Sequence, residues 1–257
     1  MEKVLVFIVE NHSLDQMRAD MPFTYGQATQ YGYADHYQAI THPSLPNYLA
    51  ITGGSTYGVT NDDGPTVNGT HETSVFQQAL DHGRTAKTYA EGQPAPCTTQ
   101  NSGRYAVRHN PWAYHLDERT ACAAHDVGLD ALAGDTRAGD LPDVGLVIPD
   151  LCNDAHDCSL ATADTWLKTQ VSAVEQGPDF TSGHLAVVIT ADEDDHHQDN
   201  TVLTVVAHPA LHGTVVSAPL THYSLSHSLW AVAGAAPMAE AAQAPDLLQA
   251  FGLTTAS

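Results

Sequence analysis

The chain has 257 residues, of which 42% are hydrophobic. It contains nine Lys and Arg and thirty Asp and Glu, which gives a formal net charge of −21. This length and apolar content suffice to bury one full core and argue against a wholly disordered chain. The acidic balance argues against nucleic-acid binding, so a phosphate site would need local positive charge from a metal, histidines or backbone N–H groups. Because the apolar runs fall short of the roughly 18–20 residues of a transmembrane helix, we expect no stable membrane insertion.

The predicted elements alternate between strands and helices along the chain. Strands are predicted at 4–9, 33–40, 85–90, 144–148, 185–191 and 202–207, the second of these being a strand or an extended segment. Helices are predicted at 12–19, 45–53, 73–82, 161–175, 222–233 and 245–251, with a loop at 53–70 and an irregular stretch at 91–120. This order favours an α/β protein, a three-layer α/β/α sandwich with a mostly parallel central sheet, in one domain over residues 1–257.

Polar residues directly follow two of the apolar strands. Glu10 and Asn11 come after residues 4–9, and Asp192 and Glu193 come after residues 185–191. Because ligand sites of open α/β sheets lie outside the carboxyl ends of the strands, we expect these oxygens to share one edge as ligands of a hard cation. The competing interpretations are a helix cap for Asn11 and an exposed acidic turn at Asp192.

Ser44 has the local features of an activated nucleophile. It precedes a helical pattern that ends at Gly53 and Gly54, with Pro46 in the first turn, where proline is tolerated. The dipole of a helix N-terminus favours an anion and lowers the pKa of a hydroxyl, and His42 is a close neighbour in the chain. The alternative is an ordinary helix-capping serine.

Histidines are the other candidate catalytic residues. His109 and His156 are of the type that donates protons or contacts a phosphoryl oxygen. His222 opens a predicted helix, either as a late site residue or as a neighbour of a cap. With sixteen histidines in the chain, any single one is otherwise a surface or core residue.

The four cysteines, Cys97, Cys122, Cys152 and Cys158, allow three disulfide pairings. Cys97–Cys122 with Cys152–Cys158 makes the shortest loops and is the pairing we predict, with a structural zinc site as the competitor. Disulfides indicate an oxidising compartment. We therefore expect a secreted or extracytoplasmic protein whose signal peptide is absent from this chain because it was removed, with a cytosolic protein as the alternative.

Six segments, taken in order, resemble the bacterial phosphoesterase family of acid phosphatases and phospholipases C. The matching segments are VFIVENHSLDQ, THPSLPNYLAITGG, RHNPW, PDLCNDAHDC, ITADEDD and HYSL. Each is weak alone, but together they cover most of the chain and are most similar to secreted actinobacterial acid phosphatases, which include phosphoinositide phosphatases. The fold that this resemblance implies is that of the alkaline phosphatase superfamily.

The resemblance also assigns roles to individual residues. It implies that Ser44 is the nucleophile and that His109 and His156 line the phosphate pocket, supported by Asp154. Substrate binding is further expected of Asn47 and His42, within the segment that holds Ser44. The residues expected around the metal are Glu10, Asn11, Ser44, Asp192 and Glu193. The acidic run 193–195 leaves open which residue follows Asp192 onto the metal.

The resulting hypothesis is a metal-dependent acid phosphatase that hydrolyses phosphate monoesters, phosphoinositides among them, through a phosphoserine on Ser44. His156 or His109 would protonate the leaving alcohol. Oxygen ligands favour Ca²⁺, Mg²⁺ or Mn²⁺, whereas added histidines would favour Zn²⁺. The expected partner is a small phosphorylated substrate or a phospholipid headgroup. The alternatives are a phospholipase C-type phosphodiesterase and a non-catalytic, cation-stabilised extracellular binding protein.

Overall fold

A computed structural model describes residues 1–255, which are built on an eight-stranded sheet. In the sheet the strands run in the order β5-β4-β6-β1-β7-β8-β2-β9. Their bounds are β1 Lys3–Val9, β2 Gly32–Ala34, β4 Ala86–Ala90, β5 Asp126–Gly128, β6 Val144–Ile148, β7 Leu185–Ala191, β8 Thr204–Ala207 and β9 Thr214–Val216. Strands β3 (Tyr37–Gln38) and β10 (Leu220–Thr221) pair with each other in a small parallel sheet.

Helices cover both faces of the large sheet. Their bounds are α1 Leu14–Asp20, α2 Pro22–Gln30, α3 Ser44–Gly53, α4 Pro65–Asn68, α5 Val75–Asp81, α6 Arg119–His125, α7 Asp130–Ala138, α8 Leu160–Glu175, α9 Pro178–Thr181, α10 His222–Val232 and α11 Leu247–Ala250. Helices α3, α5, α10 and α11 pack together on one face, and α1, α2, α7, α8 and α9 on the other. The predicted α/β/α sandwich is therefore confirmed. Within residues 1–255, no helix combines the length and the apolar character needed to cross a membrane.

The three central strands bring their carboxyl ends to one edge of the sheet. Strand β1 lies between β6 and β7 and is parallel to both, and it pairs with β7 along its full length. Apart from Lys3, every residue of these strands is buried and nearly all are apolar, as expected of strands that are covered on both faces. The segments that follow them, beginning at Glu10, Pro149 and Asp192, are therefore neighbours.

Helix α3 begins at Ser44 because polar side chains hold the chain around its first turn. The Asn47 amide oxygen accepts hydrogen bonds from the backbone N–H groups of Ile40 and Thr41, at 3.0 and 3.1 Å. An Asp62 carboxylate oxygen accepts the Leu45 N–H at 2.9 Å, as an N-terminal cap supplied by the loop. The helix ends at Gly54, which has the left-handed φ of +79° that favours glycine there.

The element predictions are mostly confirmed, with corrections where the sequence pattern is short or mixed. Residues 33–40 form two short strands, β2 and β3, and the predicted strand at 202–207 begins at Thr204. The predicted loop at 53–70 contains α4, and the irregular stretch contains three short 3₁₀ helices, the first at Val107–His109. Helices α2 and α7 were not predicted, because glycine and polar residues interrupt their apolar periodicity.

Both predicted disulfides are present. Cys97 pairs with Cys122 and Cys152 with Cys158, with Cα–Cα distances of 5.4 and 4.7 Å. These distances lie within the range of ordinary disulfides, so the zinc alternative is wrong for these cysteines. The second disulfide closes the loop after β6, which carries Asp154 and His156.

Candidate active site

The Glu10 carboxylate, directly after β1, is the centre of a buried polar cluster. Its Oε2 atom accepts a hydrogen bond from the Ser44 hydroxyl at 2.9 Å, and its Oε1 atom accepts one from the Tyr48 hydroxyl. Nε2 of His109 lies 3.1 Å from Oε2. All four side chains are at least 97% buried. The predicted nucleophile and the first predicted metal ligand are therefore in direct contact.

His109 bridges two strand ends. Its Nε2 atom faces Glu10, and its Nδ1 atom lies 3.2 Å from Oδ2 of Asp154, in the loop after β6. Burial disfavours a charged imidazole, but the Glu10 and Asp154 carboxylates outweigh it and raise the pKa of His109 to about 9. Burial also opposes the ionisation of Glu10, but the charge of His109 and hydrogen bonds from His109, Tyr48 and Ser44 lower the pKa of Glu10 to about 2. The pair is therefore charged at neutral pH.

Asp192 and Glu193 place two further carboxylates beside this cluster, at the end of β7. Oδ1 of Asp192 accepts the backbone N–H groups of Asn11 and Glu193, at 3.0 and 2.7 Å. Burial and the charges of Glu10 and Glu193 raise the pKa of Asp192 well above its usual range. Burial, with Glu10, Asp62 and Asp194, raises the pKa of Glu193 to about 8. Each shift has burial as its largest cause and the neighbouring carboxylates as its second.

The oxygen atoms in this cluster fit a hard divalent cation. Asn11 Oδ1 and Asp192 Oδ2 are buried and have no hydrogen-bond partner anywhere in residues 1–255. Asn11 holds its amide there with a φ of +52°, a left-handed conformation that Asn tolerates better than most residues. Buried charges require pairing or a metal, and carboxylate, amide and hydroxyl oxygens are ligands of Ca²⁺, Mg²⁺ and Mn²⁺. The predicted ligand residues are thus chemically suited to the cation.

Asn47 and His42, both predicted to bind substrate, contact the carboxylates. The Asn47 amide is fully buried, and its Nδ2 atom donates to Glu193 Oε2 at 3.2 Å and to the Thr41 carbonyl at 2.8 Å. His42 is partly exposed, and its two ring nitrogens lie 3.3 Å from Glu193 Oε1 and from Asp194 Oδ1. Asn47 thus fixes the loop before Ser44, whereas one side of the His42 ring is exposed to solvent.

His156 lies at the solvent side of the site. Its ring centroid is 6.3 Å from that of His109, and its Nδ1 atom lies 2.7 Å from the Asp157 carboxylate. The backbone N–H of His156 donates to Asp154 Oδ1 at 2.8 Å. Asp154 therefore positions this loop in addition to contacting His109. Of the two predicted proton donors, His156 is the one that faces solvent.

Two side chains that we did not predict, Tyr48 and Asp62, support the site, and so does His222, for which a late site residue was one of two interpretations. Tyr48 lies one helical turn after Ser44, a spacing that the sequence alone would have indicated. Asp62 caps α3, as described above. His222 donates through Nε2 to the Asp192 carbonyl at 2.6 Å and accepts at Nδ1 from the Tyr37 hydroxyl at 3.1 Å. Because burial lowers the pKa of His222 to about 4, it acts as a neutral support for the end of β7.

Comparison with known proteins gives a family match and related phosphatases. A model of the Phosphoesterase family matches residues 17–229. A phosphatidylinositol-3-phosphatase of Mycobacterium tuberculosis is 31% identical over 252 residues, which are 97% of this chain and 82% of that protein. A phosphate-repressible acid phosphatase of Penicillium chrysogenum is 29% identical over 206 residues, 76% of this chain and 50% of that protein.

The fold is similar to a solved structure at much lower identity. A protein of the alkaline phosphatase superfamily from Vibrio parahaemolyticus superimposes with a TM-score of 0.63 at 7% identity, over 91% of this chain and 66% of that one. At this identity the likeness concerns the fold. The family is indicated by the match over residues 17–229 and by the mycobacterial relative. The chain belongs to the Phosphoesterase family.

Proposed function

We propose that this enzyme is a metal-dependent acid phosphatase, with Ser44 as the nucleophile that becomes phosphorylated. The observation that carries the proposal is the position of the Ser44 hydroxyl, at the first residue of α3 and 2.9 Å from Glu10 within a buried cluster of carboxylates. A serine that only caps a helix has no need of this cluster. The names of the relatives, which include phosphatases of both bacteria and fungi, support a phosphate monoester as the substrate.

The residues that would hold the cation are Glu10, Asn11, Ser44, Asp192 and Glu193. When bound there, a divalent cation would polarise a phosphoryl oxygen and lower the pKa of the Ser44 hydroxyl. The N-terminal end of α3 favours the negative charge of the phosphate beside Ser44. Positive charge and N–H donors are the main catalytic terms in phosphoryl transfer, because the transition state spreads negative charge over the equatorial oxygens.

In this proposal Glu10 and His156 transfer the protons. The Ser44 hydroxyl gives its proton to the Glu10 carboxylate that accepts its hydrogen bond. The Ser44 oxygen attacks phosphorus in line, a new O–P bond forms, and the bond to the leaving alcohol breaks. His156, on the solvent side, donates a proton to that alcohol, while His109 stays between Glu10 and Asp154 as a fixed positive charge. Water then gives a proton to His156 and attacks the phosphoserine, the O–P bond to Ser44 breaks to release inorganic phosphate, and Ser44 takes its proton back from Glu10. A need for protonated histidine favours acidic pH.

The headgroup of a phosphoinositide is the substrate we favour within this class. The support is the mycobacterial phosphatidylinositol-3-phosphatase, which this chain matches along 97% of its own length. We also propose that the protein works in an oxidising, extracytoplasmic compartment. The two disulfides support that location, because such bonds persist mainly in oxidising environments.

The test is phosphate release from p-nitrophenyl phosphate over a range of pH, before and after chelation, with Ca²⁺, Mg²⁺, Mn²⁺ and Zn²⁺ added back singly. We expect an acidic optimum, loss of activity on chelation and recovery with one of these cations. Bis-p-nitrophenyl phosphate and a short-chain phosphatidylinositol 3-phosphate are assayed in parallel. Preference for the diester would favour the phospholipase C-type alternative. Cation binding with no hydrolysis of any substrate would favour the non-catalytic binding protein.

A further inference from the structure

A second group of metal-ligating side chains lies beside the proposed active site. His42, Asp194 and His196 each offer one nitrogen or oxygen atom, and the three atoms lie within 4.8 Å of one another. All three residues line a cavity of about 460 Å³, together with Thr41 and Asn200. Two imidazoles and a carboxylate are ligands typical of Zn²⁺ and related transition metals, in contrast to the oxygen ligands around Ser44.

The geometry of His42 suits a metal ligand. Its Nε2 atom lies 3.3 Å from Asp194 Oδ1. With bonds of about 2.0–2.1 Å, two neighbouring ligands of a tetrahedral Zn²⁺ lie about 3.3–3.4 Å apart, so this separation is that of adjacent ligands. A metal-bound histidine usually presents its other ring nitrogen to a carboxylate or carbonyl. The carboxylate beside Nδ1 of His42 is that of Glu193, at 3.3 Å.

The other two residues are a fixed ligand and an adjustable one. The buried Asp194 carboxylate accepts the backbone N–H groups of His196 and Gln198, both at 2.7 Å, and that of Asn200 at 3.0 Å, so its position is set by the loop around it. His196 is exposed, and its ring centroid lies 3.9 Å from that of His42. One ring nitrogen of His196 lies within 4.8 Å of the ligand atoms of His42 and Asp194.

We propose that His42, Asp194 and His196 form a separate site for Zn²⁺ or a similar transition metal. The cavity above them leaves room for water or a small anion as the fourth ligand, the arrangement of an open zinc site. Binding there fixes His42 against Glu193 and so connects this site to the proposed oxygen-ligand site. The inference goes beyond the proposed phosphatase function and does not depend on it.

The experiment counts bound metal in the native protein and in two variants. Each protein is stripped with a chelator, dialysed against Zn²⁺ with excess Mg²⁺, and analysed for zinc by atomic absorption. We expect His196→Ala to bind one Zn²⁺ fewer per chain than the native protein. His197→Ala is the matched control, because His197 is the adjacent, exposed histidine and contacts Asp195 instead. Any zinc at the oxygen-ligand site is common to all three proteins and cancels in the comparison.

A second measurement reads the coordination directly. Co²⁺ replaces Zn²⁺ as the probe, and the native protein and His197→Ala should both show the strong visible absorption of tetrahedral Co²⁺, which His196→Ala should lack. Circular dichroism establishes that all three proteins are folded. Equal zinc content in native protein and His196→Ala would overturn the proposal. An equal loss in both variants would also overturn it, because it would indicate unspecific binding by exposed histidines.

Discussion

The hydroxyls of Ser44 and Tyr48, one turn apart on α3, both donate hydrogen bonds to the Glu10 carboxylate, one to each oxygen. The ring of Tyr48 also stacks on the His109 imidazole, with centroids 5.2 Å apart and planes 12° apart. Tyr48 therefore fixes the orientation of Glu10 and His109 without having to meet the substrate itself. A carboxylate that is held in this way keeps its remaining lone pairs directed toward a cation.

Tyr48→Phe tests this support. The substitution keeps the stacked ring but removes one hydrogen bond to a buried carboxylate, which should lower the free energy of unfolding by about 1–3 kcal/mol. Loss of a hydrogen bond to a metal ligand typically weakens metal affinity by about 10–100-fold. We therefore expect a higher cation concentration for half-maximal phosphatase activity, measured by titrating metal into the chelated enzyme.

The control for Tyr48→Phe is Tyr57→Phe. The Tyr57 hydroxyl donates to the Gly53 carbonyl at 2.9 Å, at the far end of α3. The Tyr57→Phe variant should be less stable than the native protein but should need the same cation concentration for half-maximal activity. If both variants required the same cation concentration as the native enzyme, Tyr48 would have no part in holding the metal ligand.

Removal of the cation should destabilise the protein more at alkaline than at acidic pH. The folded-state pKa values of Asp192 and Glu193 are raised, that of Glu193 to about 8 from 4.5. A carboxyl group with a raised pKa contributes most to the stability of the metal-free fold below its ordinary pKa, and this contribution is lost as pH rises through the folded value. A bound cation offsets the repulsion between the ionised carboxylates, so its stabilising effect should grow over the same range.

Thermal denaturation with chelator and with added cation, over a series of pH values, measures this difference. Asp192→Asn is the matched variant, since it removes one of the repelling carboxylates. In the chelated state it should be more stable than the native protein at alkaline pH, and it should gain less from the cation. A cation effect that is the same at every pH would contradict the assignment of Asp192 and Glu193 as ligands.

Glu175, the last residue of α8 and not one of the site residues, offers a separate test of the electrostatics. Burial raises its pKa from 4.5 to about 7, although Gln27 and Tyr31 partly offset this effect. Because the folded pKa is raised, stability is greatest below the unfolded value and falls as pH rises to about 7. The side chain is only half-buried, and solvent screens its charge. Above that pH the ionised carboxylate therefore lowers the free energy of unfolding by about 1 kcal/mol.

Glu175→Gln should therefore stabilise the protein at alkaline pH and have little effect at acidic pH. Urea denaturation of the two proteins at both pH values measures the difference. Glu240→Gln, which changes an exposed carboxylate, should be neutral throughout. If Glu175→Gln were neutral or destabilising at alkaline pH, the buried carboxylate would not be the cause of the lost stability.

The fold and the strand ends were predictable because they depend on local patterns. Apolar runs bounded by polar residues identified β1 and β7 and thereby the positions of Glu10 and Asp192. The α/β/α architecture, the family and the phosphatase class of enzyme are confirmed. The disulfides were predictable from the short loops that they close. The roles of the individual site residues remain predictions, and so does the single domain over residues 1–257.

The contacts that give the site its chemistry depend on tertiary structure. His109 lies in a segment of short 3₁₀ helices, and nothing in the local sequence places it between Glu10 and Asp154. The contact of His222 with the Asp192 carbonyl joins residues 30 positions apart. Tyr48 is the exception, because its spacing from Ser44 already indicates a shared helix face.

The central claim is that Ser44 carries the phosphoryl group during turnover. Native enzyme, Ser44→Ala and Ser226→Ala are mixed with substrate and a restored cation and quenched with acid, and their peptides are examined by mass spectrometry. Ser226 is the control, a buried serine whose hydroxyl has no hydrogen-bond partner within residues 1–255. We predict a phosphate on the Ser44 peptide in the native enzyme and in Ser226→Ala. Ser44→Ala should be folded and should lose activity by about 10³-fold or more. A Ser44→Ala enzyme with native turnover, or a native enzyme phosphorylated on a different residue, would contradict the account.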